Sequence, residues 1–306
     1  MVERSPWLTA FCYLVLIIGA AIVCVPLYMS FVAGSLDYVR LQQMPFPLLP
    51  GGHFWENMVT AWNRVDFSRL YINSIIVTVG IVTGKIAVSL IAAFVISYFR
   101  FPFRMTMFWL IFISLMLPIE ARIIPTYEAI ADVGGPLREL FRITGISWLV
   151  ETMTGYRIEM ALNWNFINTY PGLILPLIAS ASATFLFRQF FLTIPDELCE
   201  AAKLDNAGPI KFFKDIVLPL STSNIAALAV ILFIGNWNQY LWPLLFTTDP
   251  EMRTVVLGLS HLVPGPDEPP AWNLSMAAAF FVMLPPALVV IFLQRWLTSG
   301  MVDSGK

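Results

Sequence analysis

The uncharged run from Ser5 to Leu36 is the feature that most limits what this chain can fold into. A membrane-spanning α-helix needs about 20 consecutive apolar residues, and this run exceeds that length. A cleaved signal peptide would have a shorter apolar core and a small-residue cleavage site, so we interpret the run as a span over about residues 8–31. Further apolar stretches predict spans over about residues 70–99, 106–125, 170–191, 225–247 and 274–297.

Composition agrees with this interpretation. Hydrophobic residues make up 58% of the 306 residues and charged residues only 12%, so a soluble globule of this length could not hide the apolar surface. We therefore expect an all-α, polytopic membrane protein, a single domain over 1–306 with six transmembrane helices in a lipid bilayer. The net charge of −2 gives no reason to expect nucleic-acid binding. The three scattered cysteines indicate neither a disulfide framework nor a metal site.

A polar stretch over Pro195–Pro219, called the polar loop below, lies between two long apolar runs. Ala201 and Ala202 give its first half a small apolar face, and Asp205-Asn206 with Gly208-Pro209 interrupt the helical pattern. The pattern predicts two short helices joined by a tight turn, exposed to water. Another protein's backbone could come close to the small alanine face.

The distribution of Lys and Arg predicts the orientation. These residues are denser in the segments that are inside if the amino terminus is cytoplasmic, as the positive-inside rule requires. We therefore expect both termini and the polar loop to be cytoplasmic. Residues 127–169 then form a long outer loop, in which Leu137, Leu140 and Phe141 predict a short surface helix.

Lys85 lies within the second predicted span, where an ammonium in lipid costs at least a few kcal/mol. It should face protein or water, either lining the path of an anionic substrate or pairing with a neighbouring helix. The preceding GIVTG does not form a phosphate-binding loop, because its spacing is one residue short and the context is an apolar helix. Gly80 and Gly84 instead predict a close helix-packing face. Glu120 and Arg122 predict an ion pair at the outer end of the third span, with Arg122 as a phosphate contact the lesser alternative.

The fifth predicted span contains the amides of Asn236, Asn238 and Gln239. Unpaired amides in hydrocarbon are costly, so these side chains should face another helix or an aqueous cavity. They either hold helices together or line a translocation path.

The chain shows no enzyme motif. There is no metal-binding histidine pair, no Cys-x-x-Cys and no nucleophile elbow, so we expect no catalytic residues and no metal. An ion-coupled secondary transporter is a rival interpretation. It is disfavoured because the predicted spans carry no central Asp or Glu for a proton relay.

The polar loop and its flanks resemble a known family. Glu200-Ala201-Ala202, then Asp205, Ala207, Phe213 and Leu218-Pro219-Leu220 resemble, in order and spacing, the EAA loop of permease subunits of binding-protein-dependent ABC importers. The flanking TFLFRQFFLTIPDEL and NWNQYLWPLL are similar to the carbohydrate-importer branch, which includes the maltose permease. SPWLTAF, GKIAVSLIAAF and the terminal MVDSGK look like the permease subunits for sn-glycerol 3-phosphate. One departure is Asn206, where the family usually has Gly. The residues that the resemblance assigns to ATPase coupling are Glu200, Ala201, Ala202, Asp205, Asn206, Ala207, Phe213 and Pro219.

The resemblance implies an ABC importer subunit of the inner membrane that works by alternating access. Its implied partners are a second, different permease subunit, two ATP-binding subunits and an extracytoplasmic substrate-binding protein. ATP and Mg would be bound by those partners and no cofactor by this chain. The implied substrate is sn-glycerol 3-phosphate or a glycerophosphodiester, with a neutral sugar or oligosaccharide as the alternative. Lys85, Asn236, Asn238 and Gln239 are the candidate residues of the translocation path.

Overall fold

The computed structural model describes residues 6–155, 164–263, 265 and 271–302. It divides into two compact units, one of Met1–Tyr71 and Val255–Pro285 and the other of Ile72–Thr254 and Pro286–Lys306. The regular structure of the described residues is helical, with no strand among them. The all-α class predicted from the apolar runs is confirmed.

The described helices differ widely in length, from 3 to 32 residues. In order, the α-helices are α1 (Pro6–Ser35), α2 (Tyr38–Leu41), α3 (Phe54–Arg64), α4 (Phe67–Tyr98), α5 (Arg104–Met116), α6 (Ile119–Ala131), α7 (Gly135–Ile143), α8 (Ile146–Thr154), α9 (Tyr170–Ile174), α10 (Ala181–Phe191), α11 (Asp196–Leu204), α12 (Pro209–Phe212), α13 (Leu218–Leu220), α14 (Thr222–Trp237), α15 (Leu241–Phe246), α16 (Val255–Ser260) and α17 (Trp272–Val302). Two 3₁₀ turns (Leu175–Leu177 and Pro250–Met252) and one π-helical turn (Phe213–Val217) complete the set in the described part of the chain.

Three helical segments of the described chain are long and apolar enough to cross a membrane: α1, α4 and the Trp272–Leu293 part of α17. Two bent pairs also meet that test. Tyr170–Leu177 and Ala181–Phe191 meet at 47°, and Pro209–Leu220 and Thr222–Trp237 meet at 69°. In α1 only the last four residues are buried, so its long apolar surface is of the kind that lipid covers.

The third and fifth predicted spans are not continuous helices. Helix α5 ends at Met116 and α6 begins at Ile119, with Pro118 between them as the N-cap residue. Proline lacks the N–H that a continuous helix would need at this position. In the fifth span, α14 ends at Trp237 and α15 begins at Leu241. The number and limits of the spans stay predictions.

In the first unit, a buried amide holds the end of α1. Asn57 Nδ2 donates to the carbonyl oxygens of Gly34 at 2.9 Å and Leu36 at 2.8 Å, and Asn57 Oδ1 accepts from Asn273 Nδ2 at 3.0 Å. A Cβ added at Gly34 would lie 2.8 Å from the backbone N of Ala277. Helices α1 and α17 therefore pack backbone to backbone at this point.

The second unit contains two clusters of buried apolar side chains. One gathers around Phe187 and Phe191 of α10. The other gathers around Leu173, Trp242 and Phe246. The first cluster includes buried residues of the polar loop, so the loop is packed into the core of this unit.

Two glycines of α4 allow the fourth predicted span to come close. A Cβ added at Gly80 would lie 2.7 Å from Ile174 Cδ1, and one added at Gly84 would lie 2.5 Å from Ile178 Cγ2. The prediction of a close packing face at these glycines is confirmed.

Candidate functional site

The polar loop folds as short helices joined by a tight turn. At the end of α11 the amide of Ala207 donates to the Ala202 carbonyl at 2.8 Å, and that of Asn206 donates to the Lys203 carbonyl at 3.1 Å. Asn206 has φ +53°, in the left-handed region where helix ends usually place Gly. Asparagine suits this position because its short polar side chain tolerates the left-handed backbone better than most residues do. The tight turn that the pattern predicts within the polar loop is confirmed.

The two alanines of the small face have different surroundings. Ala202 is 6% exposed and lies in the cluster with Phe187 and Phe212, whereas Ala201 is exposed. A larger side chain at position 202 would therefore meet the chain's own core. Of the two, only Ala201 leaves room for another protein.

Aromatic rings attach the polar loop to α4 and α10. The ring centroid of Phe213 lies 4.9 Å from that of Phe94, and the ring centroid of Phe212 lies 5.2 Å from that of Tyr98. Tyr98 Oη donates to the Phe191 carbonyl at 3.3 Å. The loop is thus part of a packed core rather than a flexible linker.

The tip of the polar loop exposes two large apolar side chains. Leu204 is 88% exposed and Ile210 is 83% exposed, one on each side of the turn. Glu200 and Asp205 are exposed beside them. Neither residue is predicted as a site residue from the sequence, because single apolar residues beside a turn carry no signal of their own.

The second half of the loop continues beyond its predicted end. Pro219 lies within α13, and the sharp bend comes after Leu220, before α14 begins. The turn that precedes α13 is π-helical, and Ser221 Oγ donates to the Val217 carbonyl at 2.6 Å. Single π-helical turns occur often at functional sites.

Two of the predicted path residues are in contact. Lys85 Nζ donates to Asn236 Oδ1 at 3.2 Å, and Asn236 Nδ2 donates to the Leu232 carbonyl at 2.6 Å. Asn236 is 7% exposed. The side-chain nitrogen of Asn236 donates to its own helix. The side-chain oxygen is therefore the atom that accepts from the Lys85 ammonium group.

The other two predicted path residues, Asn238 and Gln239, differ in burial. Asn238 is exposed at the end of α14, whereas Gln239 is partly buried and lines a cavity of about 10 Å³ together with Asn236. Ser74, Thr78 and Thr254 add hydroxyl groups to the cavity wall. The buried Thr254 Oγ1 has no hydrogen-bond partner among the described residues. The cavity has room for about one water molecule.

Two further expectations concern charged groups. The Glu120 side chain lies outside the described residues, so its ion pair with Arg122 stays a prediction. In the described parts of the chain, His, Cys, Asp and Glu form no group of three or more that could hold a metal ion.

Comparisons with known proteins place these features in context. Residues 85–303 match the family described as "Binding-protein-dependent transport system inner membrane component". The chain is 46% identical over 312 residues to the sn-glycerol-3-phosphate transport system permease protein UgpE of Yersinia pestis bv. Antiqua (strain Antiqua), with 100% of both chains covered. It is 46% identical over 313 residues to UgpE of Agrobacterium fabrum (strain C58 / ATCC 33970), again with 100% of both covered.

Among solved structures, a bacterial ABC transporter involved in the import of the acidic polysaccharide alginate contains a similar chain. The TM-score is 0.75 with 18% sequence identity, and the match covers 96% of this chain and 98% of that one. This likeness concerns the fold alone.

Proposed function

Because this chain belongs to the family of inner membrane components of binding-protein-dependent transport systems, we propose that it is the permease subunit of an ABC importer for sn-glycerol 3-phosphate. The observation that carries the proposed substrate is 46% identity over the full length to UgpE proteins, whose names state that substrate. An anionic substrate also agrees with Lys85, a cation within a long apolar helix.

In the proposed assembly, partner subunits complete the translocation path, hydrolyse ATP and deliver the substrate. A second permease subunit completes the path, two ATP-binding subunits bind ATP and Mg and hydrolyse the nucleotide, and an extracytoplasmic binding protein delivers the substrate. In this arrangement both termini and the polar loop are cytoplasmic, where ATP is available.

The polar loop is the proposed joint with an ATP-binding subunit. Leu204 and Ile210 fill apolar depressions of the partner, Ala201 allows its backbone to approach, and the exposed Glu200 forms a polar contact at the edge. Exposed carboxylates contribute little stability when paired, so Glu200 serves orientation more than affinity.

The packing of the loop supports a mechanical role. Phe212 and Phe213 join the loop to α4, and the cluster around Ala202 joins it to α10. A close-packed interior transmits strain because it has few voids to absorb it. Closure of the ATP-bound partners therefore displaces the loop and these helices together, and the path changes the side to which it opens.

Reconstitution tests the proposal. The complete complex in proteoliposomes, supplied with its binding protein outside and ATP inside, is expected to accumulate radiolabelled sn-glycerol 3-phosphate. Accumulation should stop when ATP is replaced by a non-hydrolysable analogue. Uptake of a neutral sugar without sn-glycerol 3-phosphate uptake would reject the proposed substrate and retain the importer. Uptake that continues without ATP but requires an ion gradient would favour a secondary transporter.

A further inference from the structure

The corner between α4 and α5 is basic and aromatic. It reads FRFPFR over residues 99–104, so Phe and Arg alternate around Pro102. Tyr98, the last residue of α4, packs its ring against that of Phe212 in the polar loop, with centroids 5.2 Å apart. The corner and the polar loop therefore lie at the same end of the second unit. In the predicted orientation that end is cytoplasmic, where arginines beside a membrane face are common.

Arg188, in the last turn of α10, reaches over the start of α5. Its guanidinium carbon lies 5.0 Å from the centroid of the Phe108 ring, and its Nη2 lies 3.8 Å from Met105 Sδ. Arg104 comes one residue before Met105 and four before Phe108, so it projects from the same side of α5 as both contacts. Arg104 Nη1 also donates to the Phe99 carbonyl at 3.1 Å. Two guanidinium groups are thus held near each other at one end of α5.

These cations have no counter-charge among the described residues. No carboxylate of the described chain forms an ion pair with Arg100, Arg104 or Arg188. The buried Nε of Arg188 also has no hydrogen-bond partner there. Helix α5 begins after Phe103 without a side-chain cap, so its free N–H groups add to the positive potential. Neighbouring like charges repel and an unpaired buried donor is costly, so the group favours an anion supplied from elsewhere.

An apolar surface continues from the cations along α5. Trp109, Leu110 and Ile113 are each more than half exposed. The chain belongs to a family of inner membrane components, so an exposed apolar helix surface of this kind is covered by lipid. Cations at the end of a lipid-covered helix match both parts of a phospholipid, the charged headgroup and the acyl chains.

We propose that Arg104 and Arg188 bind the headgroup phosphate of an anionic phospholipid in the cytoplasmic leaflet. Arg100 lies at the exposed edge of this site, and an acyl chain lies along α5. The ligand is anionic rather than zwitterionic, because a headgroup ammonium would bring a further positive charge to cations that already lack a partner. This site is separate from the translocation path and does not depend on which substrate is transported.

Lipid titration tests the site in the complete complex. Native mass spectrometry should show tighter binding of phosphatidylglycerol than of phosphatidylcholine. Arg104→Gln and Arg188→Gln are each expected to lower the affinity for phosphatidylglycerol about fivefold or more, as expected for one basic residue at a membrane surface. The double variant should lose one tightly bound phosphatidylglycerol per complex.

Matched variants separate charge from folding. Arg104→Lys keeps the charge and should keep most of the binding, whereas Arg64→Gln removes an exposed arginine of the first unit and should change nothing. If Arg188→Gln prevents assembly, the comparison of Arg104→Gln with Arg104→Lys still decides the question. Equal binding by these two Arg104 variants would overturn the proposal.

Other occupants predict different results. If excess inorganic phosphate displaces the lipid, and short-chain phosphatidylglycerol binds as tightly as the long-chain form, the cations bind a free phosphate instead. If the double variant loses a partner subunit while its count of tightly bound phosphatidylglycerol stays the same, the arginines contact a carboxylate of that subunit. Equal affinity of the wild-type complex for the two lipids would also reject an anionic-lipid site.

Discussion

The polar loop and the α7–α8 pair are both made of two short helices joined by a turn, yet their packing is opposite. The polar loop buries Ala202, Phe212 and Val217 in the second unit's core. Helices α7 and α8 bury no residue, although the side chains of Leu140 and Trp148 are large and apolar. An element that transmits force must be part of the core that it moves. The α7–α8 pair has no such attachment among the described residues, where Leu140 and Trp148 stay largely exposed.

The largest expected difference follows from removing an aromatic anchor. Phe212→Ala should destabilise the protein by about 3–5 kcal/mol, because it leaves a cavity between the loop and Tyr98. Leu140→Ala in α7 removes a side chain that is 53% exposed and should cost far less. Thermal unfolding of the purified complex in detergent measures both. Equal losses would show that the two helix pairs are anchored alike.

Enlarging the two alanines should separate folding from coupling. Ala202→Leu overpacks the core and should cost about 1–3 kcal/mol, detected as a lower unfolding temperature. Because position 201 is exposed, Ala201→Leu should leave the unfolding temperature unchanged. It should, however, reduce co-purification of the ATP-binding subunits. Normal co-purification and normal ATP-dependent uptake in Ala201→Leu would contradict the proposed joint.

The exposed tip should affect association without affecting stability. Leu204→Ser and Ile210→Ser replace side chains that bury nothing in this chain, so unfolding should not change. Each is expected to weaken association with the ATP-binding subunits by about 1 kcal/mol or more, measured by titrating the purified subunits. The matched variant Leu149→Ser, in α8 within the predicted outer loop, should bind these subunits normally. If Leu149→Ser also weakened this binding, the effect would not be specific to the polar loop.

The smallest expected effect concerns the turn. Asn206→Gly should be close to neutral because Gly adopts the left-handed backbone without strain. Asn206→Ala should cost about 1 kcal/mol, since alanine has no local hydrogen bond to offset that conformation. Chemical denaturation compares the two. A more stable alanine variant would mean that the turn does not keep its left-handed geometry.

Local patterns were enough to predict several features. Each of three features depends on only a few neighbouring residues. They are helix α11 of the polar loop, the turn at Asn206 and the close packing at Gly80 and Gly84. The fully helical class followed from the long apolar runs, because a membrane requires backbone groups to be paired within the segment. The roles of the coupling residues stay predictions.

The remaining features depend on contacts between distant parts of the chain. The contact of Lys85 with Asn236 joins residues far apart in sequence, and periodicity does not contain that information. The burial of Ala202 beside the exposed Ala201 likewise depends on where α10 and Phe212 lie. The interruption at Pro118 could have been predicted from proline alone, but the apolar composition on both sides favoured one continuous span.

The cavity of about 10 Å³ between the interrupted helices has a consequence for the cell's ion gradients. Protons cross a barrier quickly only along a continuous chain of hydrogen-bonded waters, and a space for about one water cannot contain such a chain. In this conformation the cavity itself therefore cannot serve as a proton route from one face of the membrane to the other.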